Sequence, residues 1–232
     1  AAFDSEKTKR TLLGEDLVVA AADGLGSEGQ AYRAFQAKYH DDPVGFAREC
    51  IDWPEGEGLA PYQAEIIGSV PARRRVAVRS PHGAGKSTIA AMLVLWYALT
   101  RDGQDWKVLT TASAWRQLSK FLWPEVHKWA ARLRWDVVGR KRFSEKFELF
   151  QFSLRLETGE AFAAVSDQPE LIEGAHADRL LYVFDEAKAI PAAQRALLGD
   201  ETCDVYLNET VFIKNVPASV WSYYIGGYQV IK

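Results

Sequence analysis

The 232-residue sequence predicts an α/β fold, a mostly parallel β-sheet between helices, and three observations predict it. Short apolar strands alternate with helical patterns at crossover lengths that suit right-handed βαβ units. Leu180-Leu181-Tyr182-Val183-Phe184 is a continuous apolar run, the type of strand buried on both faces of a parallel sheet. A glycine-containing loop, Ser80 to Gly85, joins a strand to a helix.

The composition permits this fold and excludes others. With 48% hydrophobic and 25% charged residues the chain can bury a sizeable core. The longest apolar run, Ile89 to Leu99, is about half of the ~20 residues that a membrane span requires. Ala1 to Arg10 mixes acids and bases with no apolar stretch behind it, so no secretory signal is expected and the location is cytoplasmic. A net charge of −3 opposes non-specific coating of nucleic acid. A local basic stretch, His127 to Arg142, still offers Lys128, Arg132, Arg134, Arg140, Lys141 and Arg142 among Trp129 and Trp135, either as a DNA-facing surface or as a solvated helix face and basic turn. Cys50 and Cys203 stand far apart without CxxC spacing and read as free thiols. His82 and His176 have no companions at metal-ligand spacing.

Three regions are expected: a helical lead-in over 1–58, a core over 59–193 and an atypical segment over 194–232. The lead-in carries one helix, Glu28 to Lys38, before the acidic stretch Asp52 to Gly58. Pro61-Tyr62-Gln63 opens a helix with proline in the first turn, where its missing N–H costs nothing. Arg75 to Arg79 reads as a strand, Lys86 to about Leu99 as a helix apolar on most faces, and Lys107 to Thr111 as a second strand. Ala114 to about Leu133 reads as a long helix capped by Ser113, with Trp115, Leu118, Phe121, Leu122, Val126 and Trp129 along its apolar stripe. Phe147 to Leu156 and Ala161 to Val165, around Glu157-Thr158-Gly159-Glu160, form a hairpin or two adjacent strands.

The chemistry gathers at Arg79-Ser80-Pro81-His82-Gly83-Ala84-Gly85-Lys86-Ser87-Thr88, a variant Walker A loop in which Ser80 replaces the usual first glycine. Gly83 and Gly85 let backbone N–H groups turn onto an anion, and the helix N-terminus adds its dipole. Lys86 can reach the β- and γ-phosphates, and the Ser87 hydroxyl can ligate Mg²⁺. Alone, Gly-Ala-Gly-Lys-Ser also fits a simple helix-capping turn. About a hundred residues later the apolar strand runs into Asp185-Glu186, a carboxylate pair at the strand's C-terminal end, where doubly wound sheets bind ligands. Asp185 would hold Mg²⁺ and Glu186 would polarise the attacking water. The pair points to a P-loop NTPase of the ASCE/RecA-like kind, taking ATP and Mg²⁺. Gln63 can read adenine through its amide and Tyr62 can stack on the base, or both are ordinary helix residues. Arg79 can meet charge developing at the γ-phosphate, or pair with an acid at its strand end. Arg179 is a weaker candidate for that role.

Residues 46–191 resemble the ATPase domain of the large terminase subunit of tailed bacteriophages. The resemblance rests on Leu59-Ala60-Pro61-Tyr62-Gln63-Ala64-Glu65-Ile66 as adenine motif, Val78 to Ser87 as Walker A, Thr111 to Leu118 with Trp123-Pro124-Glu125, and Glu173-Gly174-Ala175-His176-Ala177 leading into Val183-Phe184-Asp185-Glu186-Ala187. It implies ATP hydrolysis coupled to double-stranded DNA translocation in the bacterial host cytoplasm. The portal, the small terminase subunit and a homo-oligomeric ring are the partners implied. The family's nuclease domain and its coupling Ser/Thr motif find no counterpart after Pro191. Gly199 to Asn208, Asn215 to Trp221 and Ile225 to Lys232 instead resemble the C-terminal part of single-polypeptide restriction–modification enzymes, as though drawn from another gene. A core lacking the coupling strand would bind nucleotide and turn it over slowly. Val211-Phe212-Ile213 and Tyr223-Tyr224-Ile225 offer substitute strands.

Overall fold

The computed structural model describes residues 27–73, 75–79, 83–165, 176–185, 209–214 and 229–231. Its helices are α1 (Ser27–Tyr39), α2 (Pro43–Glu49), α3 (Pro61–Arg73), α4 (Lys86–Arg101), α5 (Trp115–Gln117), α6 (Trp123–Ala131) and α7 (Trp135–Val138). One turn of π-helix, Leu118–Leu122, makes α5 and α6 continuous. The strands are β1 (Arg75–Arg79), β2 (Trp106–Ala112), β3 (Leu149–Phe150), β4 (Ser153–Arg155), β5 (Gly159–Val165), β6 (Arg179–Asp185), β7 (Glu209–Lys214) and β8 (Gln229–Ile231).

Among the described residues eight strands join one sheet in the order β3-β4-β5-β2-β6-β7-β1-β8. The pairings from β5 through β8 are parallel, and β3-β4-β5 is an antiparallel edge. The expected P-loop architecture is therefore present, with β7 inserted between the loop strand β1 and the carboxylate strand β6. One of the two substitute strands offered by the sequence is present in the sheet. Val211-Phe212-Ile213, read as a substitute strand, lies in β7, paired with β1 on one side and β6 on the other. Tyr223-Tyr224-Ile225 lies outside the described residues.

Helix α4 is the hub. Every residue from Ile89 to Arg101 is buried, because the helix lies against β2, β5 and β6 while α1, α2, α3 and α6 pack around it. That surrounding explains why the sequence is apolar on nearly all its faces. The lead-in is tied to the end of this helix. Tyr32 Oη donates to Leu99 O (2.9 Å), Gln36 Nε2 donates to Leu99 O (3.1 Å) and Asp102 O (2.6 Å), and Trp96 Nε1 donates to Tyr39 O (2.7 Å). Carbonyls at a helix C-terminus lack intrahelical partners, and α1 supplies them. Helix α2 was not legible in the sequence. It starts at Pro43 behind Asp42, whose Oδ1 accepts from Gly45 N (2.8 Å).

The long helix departs from expectation at its start. Ser113 does not cap it; its hydroxyl donates to Gln117 Oε1 (3.1 Å), and the helix begins after Ala114 without a side-chain cap. Trp115 and Phe121, read as part of the apolar stripe, are exposed, whereas Leu118, Leu122, Trp123, Val126 and Trp129 are buried. Inside the sheet, Thr110 is satisfied by donating to Phe162 O (3.0 Å) and accepting from Trp123 Nε1 (3.1 Å).

Candidate nucleotide-binding site

The site forms where β1 gives way to α4. Gly83 and Gly85 have φ of +77° and +70°, in the left-handed region that glycine enters without a Cβ clash. Gly85 is the N-cap of α4 and makes no side-chain cap, so the first turn of a 16-residue helix is left for an anion. The two residues of the upstream motif touch this loop directly. Tyr62, on α3 and partly exposed, donates its phenol to Ala84 O (3.0 Å). Gln63 is buried, its Oε1 accepts from Ala60 N (3.0 Å), and its Nε2 abuts Gly85.

A cavity of about 600 Å³ opens over the turn. Gly83, Gly85, Lys86, Ser87 and Thr88 line one wall, and Asp185, the last residue of β6, shares the cavity with them. Asp185 is 6% exposed. Because β7 separates β1 from β6, the loop strand and the carboxylate strand stand two strand spacings apart, roughly 9–10 Å. That separation leaves room for phosphate oxygens and a hydrated cation between lysine and carboxylate. The donor set fits the group: a positive-φ cradle at a helix N-terminus, a primary amine, a hydroxyl and a buried carboxylate suit a polyphosphate with a hard divalent cation.

Sequence reasoning missed the other wall. Gln117, Lys120, Phe121, Pro124 and Glu125 face the cavity, and their spacing of i, i+3, i+4, i+7 and i+8 is one face of the helix after β2. The face lies beside the buried stripe of Leu118, Leu122, Val126 and Trp129, and the apolar spacing alone assigns Phe121 to the stripe. Thr88 Oγ1 crosses to this wall and donates to Glu125 Oε2 (3.1 Å).

Other sequence candidates fall elsewhere. Arg79 ends β1, and its side chain, together with Ser80, Pro81, His82 and Glu186, lies outside the described residues. Arg179 opens β6, about 20 Å along the strand from Asp185, and its Nε donates to Gln104 Oε1 (3.1 Å), so it is not a residue of this cavity. Within the basic stretch Arg140 is mostly enclosed, whereas Lys128, Arg134, Lys141 and Arg142 stay exposed, three of them in surface ion pairs. Lys128 pairs with Glu125, Arg134 with Asp136, Lys141 with Glu28, and Arg140 with Asp102 and Glu148. Trp129 is buried against Trp53.

No family model and no curated protein matches the sequence. Among solved structures, the chain is similar to a variant of the ATPase domain of the Thermus phage P74-26 large terminase, at 20% identity over 72% of this chain and 69% of that one, with a TM-score of 0.52. The chain has the fold of a large-terminase ATPase domain. The same phage domain in another structure gives 19% identity over 70% of this chain and 66% of that one (TM-score 0.49). The UvsW helicase of bacteriophage T4 gives 13% identity over 82% and 67% (TM-score 0.46). No helix among the described residues is long and apolar enough to cross a membrane.

Proposed function

We propose that the chain is a terminase-type ATPase that binds ATP with Mg²⁺ and hydrolyses it to drive double-stranded DNA during viral genome packaging. The observation that carries this reading is the meeting, in one cavity, of the Gly83–Thr88 turn at the N-terminus of α4 with Asp185 at the end of β6. Lys86 neutralises β- and γ-phosphate charge, and the Ser87 hydroxyl with Asp185 holds the cation. A Mg²⁺ ion held by Ser87 and Asp185 would supply positive charge to offset the negative charge that develops on the phosphate. Glu186 orients the attacking water and Arg79 meets the γ-phosphate. Ser80, Pro81, His82 and Ala84 complete the loop, while Tyr62 and Gln63 take the adenine. The chain works with the portal and the small terminase subunit, in a homo-oligomeric ring.

The test is Mg²⁺-dependent phosphate release from ATP by this chain beside Lys86→Ala and Glu186→Gln, with and without double-stranded DNA. Turnover lost in both variants and stimulated by DNA supports the motor. A second reading, a nucleotide-binding remnant or an accessory piece of a restriction system, is favoured by the departure of 194–232 from the terminase pattern. Lys86-dependent binding without turnover supports that reading, and absence of binding overturns the phosphate-loop assignment.

A further inference from the structure

The missed wall of the cavity contains a carboxylate, and a carboxylate facing a polyanion site is unfavourable unless it serves another end. Glu125 sits in the first turn of α6 with its side chain 26% exposed. Its Oε2 accepts from Trp129 Nε1 (2.8 Å) and from Thr88 Oγ1 (3.1 Å), while Oε1 faces Lys128 Nζ (3.2 Å). Trp129 is itself buried and packs against Trp53 at 4.9 Å between ring centroids, so the indole fixes the carboxylate in place. Thr88 is the third residue of α4, next to Ser87 and two beyond Lys86. The helix that carries Glu125 follows a π-turn, a departure from α-geometry that recurs at functional sites.

We propose that Glu125 is a positioning residue of the nucleotide site, holding the Thr88 hydroxyl and thereby setting the first turn of α4 against the helix that follows β2. This inference rests on the ATP-binding reading above. Because the Thr88 proton is directed to Glu125, the Ser87 hydroxyl is left as the one presented to the phosphates and their cation. The exposed end of the same helix, with Lys120 and Phe121 in the cavity, is thereby tied to the loop that grips the nucleotide.

A double-mutant cycle on the full chain tests this, read as the Kd of a fluorescent ATP analogue and as kcat and KM for ATP, with melting temperature followed in parallel. Glu125→Ala and Thr88→Val each weaken kcat/KM by about tenfold, the size of a coupling between contacting side chains, and the double variant is no worse than either single one. Glu125→Gln, which still accepts from Thr88 and Trp129, restores most of the loss. Lys128→Ala, which removes the exposed ion pair and the ammonium over the Trp129 ring but leaves the Thr88 and Trp129 bonds to Glu125, keeps Kd, kcat and KM close to the wild-type values. Thr88→Val is nearly isosteric, so it and Glu125→Gln carry the test if Glu125→Ala does not fold. Additive losses, or losses that track melting temperature alone while Kd and kcat/KM hold, overturn the role of Glu125 and leave Lys86-dependent ATP binding standing. Wild-type protein that does not bind the analogue overturns both.

Discussion

The side-chain amide of Gln63 occupies the space that a Cβ on Gly85 would need: the two would stand 2.6 Å apart. Gly85 also holds φ at +70°, so the adenine-motif helix and the phosphate loop are interlocked through a position only glycine fills. Gly85→Ala therefore has two costs. The left-handed backbone costs about 1–2 kcal/mol for a residue with a Cβ. Moving Gln63 breaks its bond from Ala60 N, about another 1 kcal/mol. Nucleotide affinity should fall by tenfold or more in a binding titration, and Gln63→Ala in the same chain should return the steric part of the lost melting temperature but not the affinity, because Gln63 is itself proposed to take the adenine. Unchanged affinity in Gly85→Ala would contradict the cradle.

A buried cation sets the second prediction. Arg101 ends α4 at 2% exposure, its guanidinium 4.3 Å from the centroid of Trp96 and 4.6 Å from that of Tyr97, with Nη1 donating to His40 O (2.6 Å). Lysine keeps the charge but has neither the planar face for the rings nor the fork for several acceptors. Arg101→Lys should destabilise by roughly 2–3 kcal/mol, and a domain of this size then melts several degrees lower. Calorimetry decides it, and a variant that melts with the wild type would mean the stacking contributes nothing.

These two sites show what the sequence could and could not convey. The loop, its helix and the apolar strand ending in Asp185 were legible because strand–glycine loop–helix is a local signature and a strand buried on both faces leaves no polar alternation. Strand β7 was harder to place in the sheet, since pairing with β1 and β6 joins residues more than a hundred positions apart in the first case. The Gln117–Glu125 wall was hidden for another reason. An exposed aromatic such as Phe121 has the same composition as a buried one, and only the packed helix shows which face turned to the cavity. Likewise the charge pattern of residues 128–142 does not reveal that Arg140 turns inward, between Asp102 and Glu148, while Lys128, Arg134, Lys141 and Arg142 remain exposed.

The thiol of Cys50 gives a third prediction. It is fully buried, and burial pushes its pKa up to about 12. The thiolate is the reactive form, so in a Cys203→Ser chain Cys50 should resist iodoacetamide at pH 8 while folded and react fully in denaturant. Because the folded value lies above the ordinary 9.0, its contribution to stability is complete below pH 9 and is lost as pH climbs toward 12. Rapid labelling of the native chain would show that the lead-in opens readily.

Asp102 lies just past the end of α4, within the network that clasps α1 to the core. Burial raises its pKa above the ordinary 3.8, and the nearby Arg140 guanidinium only partly opposes this, with Tyr32 and Thr158 also bonded to the carboxylate. A carboxyl whose folded pKa is raised binds its proton more tightly folded than unfolded. Its favourable contribution is thus present below 3.8 and declines as pH rises through the raised folded value. Asp102→Asn cannot ionise and escapes that decline. Urea unfolding of both chains at a series of pH values from acid to neutral should show the difference in stability moving toward the Asn variant as pH rises, then levelling once Asp102 is ionised in both states. A shift in the opposite direction would mean that Arg140 outweighs desolvation, and that this corner of the fold is held by an ion pair in the ordinary sense.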